Sequence, residues 1–139
     1  MTETVENFLN RLLIFFPKKE QEFEEKMRDY YEGIETVIIE DIFMPDLIDL
    51  LEKNTDSELL KRIFNYFEIV SNNADEILNN IFSITTLEIL GNDKKILETA
   101  RMYMGPKTAI LQYEAERDLG RIVKPPSFER LGIGNCDIE

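Results

Sequence analysis

Histidine is absent from the 139-residue sequence, and cysteine occurs once, at Cys136. Without histidine, neither a Ser-His-Asp nor a Cys-His catalytic arrangement can form, and the commonest metal ligand is missing. A single cysteine cannot form an internal disulfide, nor can it build a structural zinc site without histidine. Ser-His-Asp and Cys-His catalysis and a structural zinc site are therefore excluded.

Phosphate-binding and membrane-spanning patterns are missing as well. No GxGxxG or GxxxxGK[ST] pattern occurs, and the glycine-containing segment 132–136 lacks the flanking strand and helix that a phosphate loop needs. The apolar run 12–16 is too short to cross a membrane, and the first residues lack the basic stretch of a signal peptide. With the lone cysteine, this predicts a cytoplasmic protein that needs no cofactor.

Carboxylates are plentiful, and paired acids can bind a cation or transfer protons. The densest acidic cluster beside apolar residues comprises Glu40, Asp41, Asp46 and Asp49. A helical di-iron site would need Glu-x-x-His pairs, which this sequence cannot supply, and no EF-hand pattern occurs. We therefore predict a solvated acidic face, no metal site and no enzymatic activity.

Negative charge is concentrated in one part of the chain. The net charge is −12, and residues 20–58 hold fourteen acids against three bases, a net of −11. Residues 94–130 hold eight bases against five acids, a net of +3. This distribution argues against nucleic acid and anionic membranes as partners and favours a basic protein, although simple solubility is an alternative.

Apolar periodicity predicts an all-α fold: a single helical domain over 1–120 and an irregular tail over 121–139. We expect six or seven helices stacked as antiparallel helical hairpins. The predicted helices span 3–16, 18–32, 36–52, 57–71, 74–90, 94–104 and 106–119. Apolar residues surround most of the 74–90 segment, which predicts a central, buried helix closed by a left-handed Gly91.

Three local features of this helical interpretation stay open. The start of the 36–52 segment is β-branched and fits a strand, although we favour helix, and Pro45 implies a kink or a fresh start. Either Thr55 or Asp56 caps the next helix. A faint repeat of period 37 pairs Leu47 with Ile84 and Asp56 with Asp93, which leaves a solenoid-like stack open.

Two adjacent tyrosines, Tyr30 and Tyr31, lie among acidic residues near the end of the predicted second helix. Neighbouring helix positions do not share a face, so at least one of the two should lie near the surface. Tyrosine is enriched at binding hot spots, although an ordinary, partly buried tyrosine is the alternative. The predicted partner-binding residues are Glu22, Asp29, Tyr30, Tyr31, Glu32, Glu35, Glu40, Asp41, Asp46 and Asp49.

The stretches IEDIFMPDLIDLLEKNTDSELLKRIFNYFE and TTLEILGNDKKILETARMYMGPKT resemble a group of small, acidic, all-α bacterial proteins. The resemblance covers roughly residues 36–110 and rests on a proline-containing acidic helix, a capped turn and an LGxD…ARxYMGP pattern. Members of the group are described as domains of unknown function. Some similar proteins are immunity proteins of polymorphic or contact-dependent toxin systems.

The resemblance implies an immunity protein of contact-dependent growth inhibition that binds and neutralises a cognate bacterial toxin. The expected toxin is a basic protein, and a nuclease is the first candidate. The immunity protein would block it by steric and electrostatic means and would need no catalytic activity of its own. The alternative is an acidic helical adaptor or scaffold for protein–protein interaction. The sequence leaves open the identity of the toxin and the oligomeric state.

Overall fold

The structure is a computed structural model that describes residues 2–121. Seven helices follow one another within this range: α1 (Val5–Phe15), α2 (Glu20–Arg28), α3 (Ile34–Ile38, Ile39–Phe43 and Met44–Lys53 in succession), α4 (Ser57–Asn73), α5 (Glu76–Phe82, Ser83–Leu87 and Glu88–Leu90 in succession), α6 (Lys94–Tyr103) and α7 (Pro106–Asp118). A 3₁₀ turn, Pro17–Lys19, joins α1 to α2. The predicted all-α fold of six or seven helices is confirmed.

The middle segments of α3 and α5, Ile39–Phe43 and Ser83–Leu87, are π-helical and pack against each other. The sequence leaves residues 36–39 open between strand and helix, and they are helical. Pro45 causes no break, since Met44 before it keeps helical angles of φ −63° and ψ −38°. A proline ring clashes with the carbonyl four residues earlier in an α-helix, and the wider π-helical turn relieves that clash.

Helix α2 is shorter than predicted, because it ends at Arg28 and residues 29–33 leave the helix. Acidic side chains are unfavourable at the negative end of a helix dipole, and Asp29 and Glu32 lie there. Gly33, with φ +93°, then starts α3 from a left-handed conformation. Tyr30 and Tyr31 therefore lie in the α2–α3 connection and not on a helix.

Aromatic rings from α1, α4 and α5 form the centre of the core. Phe82 lies 5.7 Å from Phe8 and 5.3 Å from Phe67, and Phe64 lies 5.1 Å from Phe67, measured between ring centroids. All four phenylalanines are at most 1% exposed. Edge-to-face pairs of this kind contribute about 0.5–1.5 kcal/mol each beyond the area that they bury.

Helix α5 is not the enclosed helix that residues 74–90 predict. Ile77 is 65% and Ile84 49% exposed, whereas Leu78 and Phe82 are buried. Thr85 and Thr86 follow Phe82 at three and four positions and are buried with it, whereas Ile84 follows Ile77 at seven positions and shares its exposed face. The helix therefore buries one side and presents a stripe of isoleucine on the other.

Helix α7 is fixed to α4 by a side chain that caps its first turn. The Glu68 carboxylate accepts hydrogen bonds from the backbone N–H groups of Lys107 (2.9 Å) and Thr108 (3.0 Å) and from the Thr108 hydroxyl (2.9 Å). The cap residue itself, Gly105, has no side chain to do this, and a Cβ atom there would lie 2.5 Å from Glu68 Oε1. Glu68 thus replaces a local N-cap across the interface.

An ion pair between Glu116 and Arg121 at the end of α7 contacts the end of α5, because Arg121 Nη2 also donates a 2.7 Å hydrogen bond to Asn92 Oδ1. Glu116 is 3% exposed, and its Oε2 accepts hydrogen bonds from Arg121 Nη1 (2.7 Å) and Gln112 Nε2 (3.0 Å). Gly91 is not left-handed as predicted, since its φ is −83°. A Cβ atom at Gly91 would instead overlap the Glu116 carboxylate, so this glycine permits the close approach of α7.

The predicted period of 37 holds at the helix caps and for Leu60 and Leu97, which are both buried, and fails at another core pair. Asp56 and Asp93 cap α4 and α6, which also selects Asp56 over Thr55. Leu47 is buried, however, whereas its counterpart Ile84 is exposed. Within residues 2–121, the buried apolar side chains form one cluster, to which every helix except α2 contributes buried residues.

Most of the predicted tail, 121–139, lies outside the described residues, as do Cys136 and the glycine-containing segment 132–136. Within residues 2–121, none of the helices has both the length and the apolar character needed to cross a membrane.

Candidate functional site

The predicted partner-binding residues lie on α2, the α2–α3 connection and α3, which together we call the acidic surface (residues 20–53). None of the ten is buried. Glu35 and Asp46 are half-buried, and the other eight are exposed. Tyr30 is 55% and Tyr31 52% exposed, so both tyrosines, and not only one, reach the surface. The structure divides several of these residues between two depressions.

The first depression, which we call the α2–α3 depression, holds ≈ 360 Å³. It brings together three of the predicted residues, Glu22, Asp29 and Tyr31. The remaining lining consists of Glu25, Lys26 and Ile34. Here an exposed aromatic ring lies beside carboxylates on a surface formed where α2 packs against the start of α3.

The second depression, which we call the α3–α5 groove, is a shallow cleft of ≈ 390 Å³ beside the two π-helical segments. It brings together Glu40 and Asp49 from the predicted set. Its other lining residues are Met44, Pro45, Ile48, Glu52 and Ile89. Glu52 was missed by the sequence reasoning, although it follows Asp49 by three positions and Pro45 by seven, the spacing of one helix face.

Lys19 is a second residue whose role the sequence did not indicate. It connects two elements of the acidic surface. Its Nζ lies 3.3 Å from Glu22 Oε1 and 3.6 Å from Asp46 Oδ1, so it links α2 with α3. Its partial burial opposes the charged form, but the hydrogen bond to Glu22 and the charge of Asp46 outweigh that effect and raise the pKa of Lys19. The i,i+3 spacing to Glu22 is the only sequence signal for this role.

The two tyrosines differ in their surroundings. The Tyr30 hydroxyl donates a 2.9 Å hydrogen bond to Glu35 Oε2, which spans the α2–α3 turn. This hydrogen bond and the negative charge of Glu35 raise the pKa of the Tyr30 hydroxyl. Tyr31 lines the α2–α3 depression instead. Asp41 and Glu32 line neither of these two depressions.

A family model described as "Domain of unknown function (DUF7674)" matches residues 9–119. The chain belongs to this family. The match includes both depressions and all ten predicted residues of the DUF7674 domain, as well as the stretch that carries the resemblance to small acidic bacterial proteins. No curated protein and no solved structure matches the chain.

The acidic surface of this DUF7674 domain offers groups for binding. Within residues 2–121, no cluster of three or more Asp, Glu, Cys or His side chains is arranged to hold a metal ion. Exposed carboxylates provide charge, and Tyr31, Ile48 and Ile89 provide apolar contact area beside them. Charge for steering combined with small apolar patches for contact is the composition that protein interfaces use.

Proposed function

We propose that the protein is a cytoplasmic immunity protein that binds a cognate, basic bacterial toxin and neutralises it. One observation carries this proposal. None of the fourteen carboxylates in residues 20–58 is buried, and two tyrosines are exposed among them. Most of this charge has no buried structural partner, so it is available to an oppositely charged protein.

Blocking follows from the physics of such a surface. A toxin nuclease binds a phosphate backbone through lysine and arginine side chains, and a dense array of carboxylates competes for the same positive field. Concentrated charge of one sign also accelerates encounter and orients the partner. Tyr31 in the α2–α3 depression is the anchor residue that we expect to contribute most to affinity, since hot spots favour tyrosine.

Co-expression with a candidate toxin tests this proposal, and the genes beside this one supply the candidate. Growth arrest by the toxin should be relieved by the wild-type protein and not by a variant that carries Asp29→Lys and Tyr31→Ala. Both positions are exposed, so this variant should stay folded. Glu98→Lys, on the exposed face of α6, serves as the control and should protect fully.

A folded wild-type protein that fails to relieve arrest by the adjacent toxin would contradict the proposal. Equal protection by the double variant would show that the acidic surface is not the binding site.

A second candidate function, an adaptor or scaffold, is favoured by the isoleucine stripe on α5. Ile77 and Ile84 are exposed, and Ile81 is half-buried between them at the i, i+4, i+7 spacing of one helix face. Light scattering separates the two functions: a dimer that Ile77→Ser disrupts would favour the adaptor.

A further inference from the structure

The α3–α5 groove combines an apolar floor with an acidic rim. Met44, Pro45, Ile48 and Ile89 supply apolar surface, and the carboxylates that line the groove with them are Glu40, Asp49 and Glu52. Its volume of ≈ 390 Å³ lies near the lower end of the range for ligand pockets, about 300–1,000 Å³. The cleft is open to solvent, so one end of an occupant would remain in contact with solvent.

The negative charge of the carboxylates at the rim favours a positively charged occupant. Among residues 2–121, three carboxylates and no lysine or arginine line the groove, whereas the α2–α3 depression includes Lys26. Lys53 Nζ lies 3.0 Å from Asp49 Oδ2, so an ammonium group already pairs with one of the carboxylates. Both members of that pair are more than half exposed, so a competing cation displaces Lys53 at little cost.

The apolar floor favours an occupant whose positive charge is attached to an apolar stem. Lysine and arginine bury their methylene stems along apolar surface and keep the charged head at its edge. Ile48 and Ile89 provide that surface, and Glu52 and Asp49 line the same groove. An inorganic cation would make no contact with the apolar floor, and a wholly apolar side chain would form no ion pair with the carboxylates.

We propose that the α3–α5 groove receives an arginine or lysine side chain of the protein partner, with its stem on Ile48 and Ile89 and its charge against Glu52 and Asp49. This inference rests on the proposed function, because it names the chemistry of the partner's contact residue. It places a second point of contact on the same acidic surface as Tyr31.

Methyl and amide NMR spectra of the full chain test the proposal, with the peptide acetyl-Arg-Leu-Arg-amide as the probe. The matched control is the same peptide with citrulline in place of arginine, which keeps the shape and removes the charge. The arginine peptide should shift the signals of Ile48, Ile89 and Met44 in a saturable way at low salt. The citrulline peptide should shift them much less.

A matched pair of variants locates the charge. Glu52→Gln should weaken binding of the arginine peptide by about two- to fivefold, the loss expected for one exposed ion pair, and Glu98→Gln should leave it unchanged. Equal shifts with the citrulline peptide, or shifts confined to Tyr31 and Ile34, would overturn the inference. So would an undiminished affinity in Glu52→Gln.

The two proposals fail separately. If the protein neutralises its toxin and the groove shows no shifts with the arginine peptide, this inference is wrong and the immunity function stands. If the groove binds the arginine peptide and no adjacent toxin is neutralised, the groove still binds cations and the proposed function is wrong.

Discussion

Glu68 is a single side chain on which the start of α7 depends. Its partial burial opposes ionisation, but hydrogen bonds from Thr108 and the backbone N–H of Lys107 outweigh that effect and lower the pKa of the carboxyl. A carboxyl whose pKa is lowered by folding adds stability above its ordinary pKa, and that stability is lost as the pH falls through the lowered value. The cap should therefore weaken in acid.

Glu68→Gln should reduce the free energy of unfolding by about 1 kcal/mol at neutral pH, as expected for the loss of a charged helix cap. The difference between variant and wild type should begin to shrink below the ordinary carboxyl pKa of 4.5 and be smallest once the pH has fallen through the lowered pKa of the folded protein, where the wild-type side chain also becomes neutral. Urea unfolding at several pH values measures this, with the exposed Glu98→Gln as the control. A difference that does not change with pH would show that the carboxylate charge is irrelevant.

Gly91→Ala tests the close contact between α5 and α7. At φ −83° alanine is normally tolerated, and the substitution would stabilise the protein by about 0.4–1 kcal/mol through the unfolded state. Overlap with the Glu116 carboxylate should reverse the sign and cost about 1–3 kcal/mol. Urea unfolding should also show that the cost falls in a Glu116→Ala background, because the two positions are in contact. A stabilised Gly91→Ala would contradict this geometry.

Local signals in the sequence predict the roles of some residues correctly, but they cannot predict roles that depend on contacts between distant parts of the chain. Asp93 is recognisable as a cap from its position before an apolar repeat, and the structure confirms it. Gly91 also looks like a helix end and is the C-cap of α5, but its lack of a Cβ atom makes room for Glu116, which no local pattern connects to it. The same holds for Lys19, whose contact with Asp46 exists only once α2 packs near α3.

At the scale of elements, α5 shows that apolar residues distributed all around a helix need not all be buried. Ile77 and Ile84 lie on one face at a spacing of seven and are exposed, whereas Leu78, Phe82 and Thr85 lie on the opposite face and are buried. The existence of the helices is predictable because long apolar repeats dominate the signal. The end of α2 at Arg28 is not, because it depends on the connection that follows.

A series of alanine substitutions along α5 tests which side faces the core. Phe82→Ala should cost about 3–5 kcal/mol, because the side chain is fully buried among aromatic rings. Ile81 is half-buried, so Ile81→Ala should cost less, about 0.5–2 kcal/mol instead of the 2–5 kcal/mol that a central position implies. Ile77→Ala, at 65% exposure, should stay within about 0.5 kcal/mol. Urea unfolding that ranks Ile77 with Phe82 would contradict the described packing.

At the scale of the whole molecule, charge is separated along the chain. Residues 20–58 carry a net charge of −11 and residues 94–130 a net of +3. Composition alone predicts this separation, and the structure adds that all fourteen acids of the first segment reach solvent to some degree. How the acids divide between two depressions was not predictable, because Ile89 of α5 completes the groove from a distant part of the chain.

We propose that the acidic surface captures a basic protein partner. Stopped-flow association with the cognate toxin measures this most directly. The association rate should fall steeply between 0.01 M and 0.1 M salt, since the Debye length shrinks from about 30 Å to about 10 Å. Glu22→Lys, Asp29→Lys and Glu35→Lys should each slow association more than Glu98→Lys, which changes the net charge equally. An association rate that changes neither with salt nor with these charge reversals would contradict this proposal. It would place the interface on the basic part of the chain, residues 94–130.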